Sequence, residues 1–486
     1  MGRRKQKDLR NGINSASIKS SEESKLTTLV DNLLRVTTAP IQPNVNKALD
    51  LQIQIAEIVK EIQALENSRD KITSPSFRSD GATIHQFLNW LNENGAEFEG
   101  IEIANFPGYE LGLQAKKDLN ESSLIISVPR KIMLTTESVS GTPLGSIIQK
   151  DALLNNMSNV ALTLVLLFEK FKDDSFWKPY IDVLPVNYST VLYFTYDELK
   201  ELKGSSVLET ALKQIRNICR QYAYLHKMIW TSENPSCKLL KKYFTFNQYR
   251  WAASTVMTRQ NTVPSEDGNY LSALIPLWDL CNHMNGSITT DYNPELRRSE
   301  CFALKDFKQN DQIFIFYGAR NNADLFIHNG FVYEDNIHDG YWLKLGISKN
   351  DPLRGKRIQL LEKLSINTFD FLIRKGPEPI DGDLLAFLRV FSMDNDTLEN
   401  YLKVDGKVDS LKLRECKFDS NLQTKCWEFL QTRLKLLLSA YKYSSDENTQ
   451  LVNGTQMSEN MQLSIRMREI EKHLLRNVLT YVEQQL

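Results

Sequence analysis

The feature that most constrains the fold is a long helical stretch placed between two groups of short strands. Apolar residues recur at helical spacing through most of residues 135–251. Short runs with strand character lie on both sides of it, at residues 99–106, 111–115 and 124–128 before it and at residues 271–276, 300–304 and 312–317 after it. The pattern therefore predicts an α+β fold, in which a strand-rich body is interrupted by a helical insertion.

The C-terminal part of the chain is predicted to be all-helical. After about residue 339 a strand pattern is limited to residues 341–345. Apolar residues at helical spacing predict helices over residues 384–391, 422–443 and 457–484.

The N-terminal part is predicted to be a tail with one amphipathic helix. Residues 1–44 are rich in Ser, Lys and Asn, and we expect them to be mostly disordered. Residues 45–65 have the apolar spacing of a helix. A short helix should then begin at a Thr83 cap and end at Gly95.

These patterns divide the chain into three predicted regions. Residues 1–79 form the N-terminal tail, and residues 80–335 form the strand-rich domain with its insertion at about residues 135–251. Residues 336–486 form the helical C-terminal domain.

Charge, hydropathy and cysteine usage exclude several classes of protein. Lys and Arg number 59 against 60 Asp and Glu, so no overall basic field exists, which disfavours nucleic acid as the main partner. The apolar run at residues 160–168 is far shorter than the ~20 residues that a membrane-spanning helix needs. The six cysteines form no C-x-x-C pair, so we expect neither a disulfide framework nor a structural zinc site.

The first residues bear on cellular location. Arg3, Arg4, Lys5 and Lys7 form a basic cluster, but no apolar segment follows it as in a signal peptide. The cluster fits a solvated tail better than a nuclear address. We therefore expect a cytoplasmic protein, with a nuclear location as the second option.

Two polar segments follow apolar elements and are candidates for ligand contact. Residues 107–113 form a glycine-containing hairpin, in which Glu110 can accept hydrogen bonds and glycine permits close backbone approach. Taken alone, an ordinary hairpin is the better interpretation. Residues 258–261 end a predicted helix with Thr-Arg-Gln-Asn, which fits a solvated helix end and a site equally well.

A third segment, residues 275–285, concentrates Asp279, Cys281, Asn282 and His283 directly after an apolar strand. A metal site would need further ligands at a recognisable spacing. A nucleophilic pair of Cys281 and His283 is disfavoured, because side chains two residues apart on an extended chain rarely face each other. A polar cluster, in which Asn282 and His283 bond a ligand and the backbone, fits the residue types best.

A fourth segment, residues 312–320, is a strand-like run that ends in Tyr317 and Gly318. It either delivers the tyrosine hydroxyl to a site or is a core strand with its tyrosine at the surface.

Together these segments resemble the SET-domain methyltransferases. Asn282-His283 after an apolar strand, followed by a strand that ends in Tyr317-Gly318, is similar to the C-terminal signature of that family, and residues 110–113 look like its first cofactor-contacting turn. The insertion and the helical C-terminal region resemble the subclass named after the Rubisco large-subunit methyltransferase. Residues 250–261, 274–283 and 315–318 look most like the animal members that methylate a histidine of actin.

The resemblance implies a SET domain whose Asn-His segment and tyrosine strand form a pseudoknot around S-adenosylmethionine, with no metal. The residues that it places around the cofactor are Tyr109, Glu110, Leu111, Arg259, Asp279, Leu280, Cys281, Asn282, His283, Asn329, Gly330 and Phe331. The residues that it places in the substrate channel are Arg220, Asn261, Trp278, Tyr317 and Arg320, of which Asn261 and Tyr317 would be catalytic. Where the family has an arginine before the helix of Trp90, this chain has Asp80, with Arg78 nearby, so the contact to the cofactor carboxylate is left unassigned.

The function implied is histidine N-methylation of actin, with S-adenosylmethionine as the methyl donor. Trp278 and Tyr317 would hold the imidazole, and Asn261 would hydrogen-bond one ring nitrogen so that the other presents its lone pair. The insertion and the C-terminal domain would form a groove for the substrate segment. Two alternatives stay open: a lysine methyltransferase acting on histone or another protein, and a catalytically silent SET fold that serves as a binding module.

Overall fold

A computed structural model describes residues 21–40, 44–67, 80–403, 408–416, 418–441 and 457–486. The chain divides into two compact units, of which the first comprises Met1–Tyr193 with Ala211–Gly318 and the second comprises Phe194–Thr210 with Ala319–Leu486. Within the described ranges, every helix is too short or too polar to cross a membrane.

Helices dominate the chain. The described helices, in chain order, are α1 (residues 21–38), α2 (Val45–Glu66), α3 (Gly81–Glu93), α4 (Pro143–Lys150), α5 (Ala152–Asn156), α6 (Ser158–Phe171), α7 (Lys178–Asp182), α8 (Tyr196–Glu201), α9 (Val207–Thr231), α10 (Pro235–Tyr243), α11 (Phe246–Arg259), α12 (Asn322–Asn329), α13 (Arg354–Lys363), α14 (Gly382–Ser392), α15 (Asn395–Lys403), α16 (Ser420–Ser439) and α17 (Glu459–Glu483).

The strands are short, as the sequence predicted. In chain order they are β1 (Ile101–Phe106), β2 (Glu110–Ala115), β3 (Leu124–Pro129), β4 (Leu134–Thr135), β5 (Asn261–Pro264), β6 (Tyr270–Leu274), β7 (Asn282–His283), β8 (Thr290–Asn293), β9 (Arg298–Phe302), β10 (Gln312–Ile315), β11 (Gly340–Lys344) and β12 (Asp370–Arg374). The mixed α+β composition is therefore confirmed.

The sheets of the first unit pair strands from both sides of the helical stretch. Strand β3 pairs antiparallel with β9, and β4 pairs antiparallel with β6. The helices α4 to α7, α10 and α11 come between these partners in the sequence, together with most of α9. Helix α6 is apolar almost all round and fully buried from Val160 to Leu167, as expected for a core helix.

A four-stranded sheet in the order β1-β2-β10-β7 brings the polar segments together. Strand β10 pairs antiparallel with β2, where Ile313 lies opposite Leu113. On its other side β10 pairs parallel with β7, so that Ile315 lies opposite His283. The expected adjacency of the Asn-His segment and the tyrosine strand is thus present.

The N-terminal residues differ from the prediction. Helix α1 forms where the composition indicated disorder, because Leu26, Val30 and Leu33 form a buried stripe at helical spacing. Helix α2 forms as predicted, and the Asn44 side chain caps it by accepting from the amides of Asn46 and Lys47. Residues 1–20 and 68–79 lie outside the described residues.

Helix α3 begins earlier than expected. Asp80, not Thr83, is its N-cap residue, and the helix ends at Glu93 before Gly95.

The second unit is mainly helical and has its own core. Helix α14 is buried along most of its length, and Phe387, Leu430 and Leu475 are fully buried in the same cluster. Strand β12, which was not predicted, pairs antiparallel with β11 from Gly340 to Lys344. The predicted domain boundaries after residues 79 and 335 stay predictions.

Candidate active site

Three residues of the four-stranded sheet converge on one point. A Cβ atom added at Gly112 would lie 2.9 Å from Gln312 Nε2 and 3.0 Å from Asn282 Nδ2. Both amide nitrogens are buried, and neither has an acceptor among the described residues. Since an unsatisfied buried donor typically costs ~1–3 kcal/mol, this pair of donors is suited to a ligand that brings acceptors. Gln312 was not among the predicted site residues, because only the sheet register places it beside Asn282.

The predicted turn at residues 109–111 opens strand β2. Glu110 is exposed and has a φ of 57°, a left-handed conformation that is unfavourable for a residue with a side chain. The Tyr109 ring is also exposed and lies edge-on to Phe314, with 5.7 Å between centroids, whereas Leu111 is buried. Strained backbone of this kind concentrates at ligand-binding sites.

A buried ion pair links helix α11 to the segment before β7. Arg259 NH1 lies 3.4 Å from Asp279 Oδ2 and also donates to the Asp279 carbonyl at 2.5 Å. The Asp279 and Arg259 side chains are only 2% and 13% exposed. Burial acts to lower the pKa of Arg259, but the Asp279 carboxylate and nearby tyrosines outweigh it and raise this pKa, so the guanidinium stays charged. The end of α11 is therefore not the solvated helix end that the sequence left open.

The turn from Leu277 to Leu280 carries the predicted Trp278. Leu277 has a φ of 68°, and the following residues, Trp278–Leu280, form a single 3₁₀ turn. The Trp278 indole is buried, and its Nε1 has no acceptor among the described residues. Leu280 is buried in the same turn and contributes to the core.

Tyr317 packs against the Asn-His segment. Its hydroxyl donates to the Cys281 carbonyl at 2.6 Å, and its backbone amide donates to His283 Nδ1 at 3.2 Å. The second contact makes Nδ1 the acceptor and fixes the orientation of the ring. The predicted neighbours Cys281, His283 and Tyr317 are therefore in contact.

The Cys281 thiol is not arranged as a nucleophile. It is buried beside the Cys301 thiol, and this contact, together with burial, raises the pKa of Cys281 well above its ordinary value. A reactive cysteine instead needs a lowered pKa.

The remaining predicted residues of the first unit are Asn261 and Arg220, which lie on a strand and on a helix. Asn261 begins β5, is half-buried and donates to the Arg259 carbonyl at 3.3 Å. Its neighbour Gln260, which the prediction left out, has a buried Oε1 without a donor in the described part of the chain. Arg220 is exposed on α9 and donates to Asn217 at 3.1 Å.

Four predicted residues belong to the second unit. Arg320 NH1 donates to Asn329 Oδ1 at 3.0 Å, and Gly330 closes α12 in a left-handed conformation with φ 78°. Phe331 is half-buried in the loop that follows. Asp339 orders this region by accepting from the backbone and side-chain nitrogens of Asn322, each at 2.8 Å. The roles of these four residues stay predictions.

Comparison with solved structures identifies the fold. The chain is similar to the SET domain of LSMT in a crystal structure with lysine and AdoHcy, with a TM-score of 0.68 and 22% identity over 84% of this chain and 92% of that one. It is also similar to Rubisco LSMT bound to AdoMet, with a TM-score of 0.64 and 22% identity over 83% of this chain and 92% of that one. The predicted SET fold is confirmed.

Sequence comparison gives the family. Residues 348–475 match the family described as Rubisco LSMT substrate-binding. The chain is 39% identical to the actin-histidine N-methyltransferase of Xenopus tropicalis over 97% of its own length and 81% of the relative. It is 40% identical to the enzyme of that name from Homo sapiens over 92% of this chain and 75% of the relative. Identity at this level over nearly the whole chain means that the protein belongs to the actin-histidine N-methyltransferase family of SET proteins.

Proposed function

We propose that this protein transfers a methyl group from S-adenosylmethionine to a histidine side chain of actin. The observation that carries the proposal is the 39–40% identity to actin-histidine N-methyltransferases over more than nine-tenths of the chain. The site geometry supports it independently, because two buried donors lie on the four-stranded sheet, and the segment that leads into β7 contacts both the buried Arg259 guanidinium and the Tyr317 hydroxyl. A cytoplasmic location is proposed with it.

The residues present fit the cofactor. S-adenosylmethionine has a carboxylate, ribose hydroxyls and adenine nitrogens that accept hydrogen bonds, and it supplies an electrophilic methyl group on its sulfonium when bound. The buried amides of Asn282 and Gln312 offer donors, and the missing side chain at Gly112 allows both amides to lie close to the backbone of β2. Arg259 offers a buried positive charge whose Nε has no acceptor among the described residues.

The chain needs to do little covalent chemistry for such a transfer. A direct displacement depends chiefly on how the two reactants are positioned, so the task of the protein is alignment. Trp278 and Tyr317 are the aromatic residues that would flank the acceptor ring, and Asn261 would bond one of its nitrogens. At neutral pH an imidazole with a pKa of ~6.5 is mostly neutral, and a lone pair is available without a catalytic base.

The test is methyl transfer to purified actin. The full chain is incubated with actin and S-adenosylmethionine carrying a tritiated methyl group, and the modified residue is located by mass spectrometry. We expect label on one histidine. Label on lysine would identify a lysine methyltransferase, and cofactor binding without label on actin, histones or whole-cell protein would indicate a binding module.

The matched control uses actin in which the labelled histidine is replaced by alanine. Loss of all label from this substrate would show that transfer is confined to that residue. Persisting label would contradict a single histidine acceptor.

A further inference from the structure

The hydroxyl of Tyr180 links the helical insertion to the candidate site. Tyr180 lies on α7 and is only 1% exposed. It donates to Asp279 Oδ2 at 2.6 Å, on the same carboxylate oxygen that lies 3.4 Å from Arg259 NH1. No motif pointed to this residue, because the contact joins positions that are far apart in the sequence.

We propose that Tyr180 is a positioning residue for the methyl donor, which holds the Asp279 carboxylate and, through it, the Arg259 guanidinium toward the amino-acid end of the cofactor. This inference rests on the proposed function, since it concerns how the same site binds S-adenosylmethionine.

The first support is that Tyr180 itself has a fixed place. Its ring packs against the fully buried Phe87 of α3, with 6.2 Å between centroids. The neighbouring Trp177 indole donates to the Ile132 carbonyl at 3.0 Å and so anchors the start of α7. A hydroxyl on such a ring can direct a carboxylate, because the ring cannot follow that carboxylate if it moves.

The second support is that the orientation of Arg259 depends on Asp279 twice. The guanidinium contacts both the carboxylate and the main-chain carbonyl of Asp279. The contact between the Arg259 and Asp279 side chains is therefore coupled to the position of the Asp279 backbone, which leads into Asn282. A change in the carboxylate rotamer would shift the guanidinium.

The third support is chemical. Burial and the Asp279 carboxylate raise the pKa of Tyr180 well above its ordinary value, so it remains a donor at every pH used in an assay. Arg259 keeps a buried Nε without an acceptor in the described part of the chain. A guanidinium with a spare donor favours an anionic ligand group, and the carboxylate is the anionic part of this cofactor.

The test compares two ligands that differ in that group. S-adenosylhomocysteine carries the amino-acid part, whereas 5′-methylthioadenosine lacks it. We expect Tyr180→Phe to weaken binding of S-adenosylhomocysteine roughly tenfold, as for the loss of one hydrogen bond to a buried charged group. Binding of 5′-methylthioadenosine should change less than about twofold. Isothermal titration of the full chain measures both.

The control is Tyr249→Phe. Tyr249 is an equally buried tyrosine on α11, and its hydroxyl donates to Gln221 at 3.0 Å. This change should lower thermal stability without altering the ratio of the two affinities. A merely structural role for Tyr180 would produce the same result as this control.

Several outcomes would overturn the inference. An unchanged ratio of the two affinities in Tyr180→Phe contradicts the inference, whether both affinities stay the same or both fall equally. If that variant does not fold, Asp279→Asn should show the same selective loss, and an unchanged ratio there is equally contrary. If the wild-type chain binds neither ligand, the cofactor assignment in the proposed function fails instead.

Discussion

The buried carboxyl of Glu471 makes the stability of the second unit depend on pH. Glu471 lies on α17 and is 4% exposed. It accepts hydrogen bonds from the Ser206 hydroxyl at 2.5 Å and from the Tyr441 hydroxyl at 3.2 Å. Burial raises the pKa of Glu471 from 4.5 to about 7, and these hydrogen bonds only partly oppose it.

The sign and size of the effect of pH on stability follow from the difference between the pKa of Glu471 in the folded chain and its ordinary pKa in the unfolded chain. Below pH 4.5 the carboxyl is protonated in both the folded and the unfolded chain, and well above pH 7 it is ionised in both. Between these limits the folded chain keeps a proton that the unfolded chain has released, so stability falls as the pH rises. At ~1.36 kcal/mol per pH unit, the loss across the window amounts to roughly 3 kcal/mol.

Replacing Glu471 by Gln removes the titration and keeps an oxygen that accepts hydrogen bonds. We expect the free energy of unfolding of the variant, relative to wild type, to rise by roughly 2–3 kcal/mol between pH 5 and pH 8. Urea denaturation at four pH values, followed by tryptophan fluorescence, measures this difference. Any constant offset from the new amide group cancels in the comparison.

Glu428→Gln on α16 is the matched control, because that side chain is exposed in the same unit. It should leave the pH dependence of wild type intact. Parallel curves for wild type and Glu471→Gln would refute the reasoning, since the titration of a buried carboxyl could not then be the cause.

Three further predictions concern the site. Tyr317→Phe removes the hydroxyl that bonds the Cys281 carbonyl and should lower kcat for actin more than it lowers affinity for S-adenosylhomocysteine, whereas Tyr270→Phe, at a tyrosine that is 74% exposed, should change neither. Gly112→Ala places a methyl group against the amides of Gln312 and Asn282 and should weaken S-adenosylhomocysteine binding at least tenfold by titration, while Gly346→Ala, where nothing lies within 4 Å, should not. For the wild-type enzyme, kcat/KM on actin should rise between about pH 6 and 7 and flatten near 8, as for a neutral imidazole acceptor; a continued log-linear rise from about pH 8 to 9.5, with the enzyme still folded, would indicate lysine instead.

Much of the fold could be predicted because its elements are marked by local patterns. The apolar spacing of residues 45–65 and 457–484 matches α2 and α17, and the short runs around residue 313 match the strands of the main sheet. The stripe of Leu26, Val30 and Leu33 was present in the sequence but was outweighed by the surrounding Ser, Lys and Asn. Strand β12 was missed because its five residues acquire strand structure only by pairing with β11.

The residues of the candidate site could likewise be predicted only where a local sequence pattern marks them. Asn282, His283 and Tyr317 belong to short segments that are distinctive in sequence, and the structure brings them into contact. Gln312 and Tyr180 have no such signal. Their relevance comes from a strand register and from a contact across 99 positions of the sequence, neither of which is encoded in a local pattern.

Two residues with strained backbone conformations show why the sequence of a segment does not by itself predict the geometry of the site. Glu110 and Leu277 both have positive φ, although neither is a glycine, and each lies at the start of a segment that contributes to the site. Such conformations are unfavourable by ~1–3 kcal/mol each and persist only where the surrounding structure determines them. Here the surrounding structure is the pairing of β1 with β2 through Phe106 and Glu110, and the buried 3₁₀ turn after Leu277. The position of the Glu110 turn is therefore set by the pairing of β1 with β2, and that of Trp278 by the burial of its 3₁₀ turn, so weakening either should impair ligand binding before the chain unfolds.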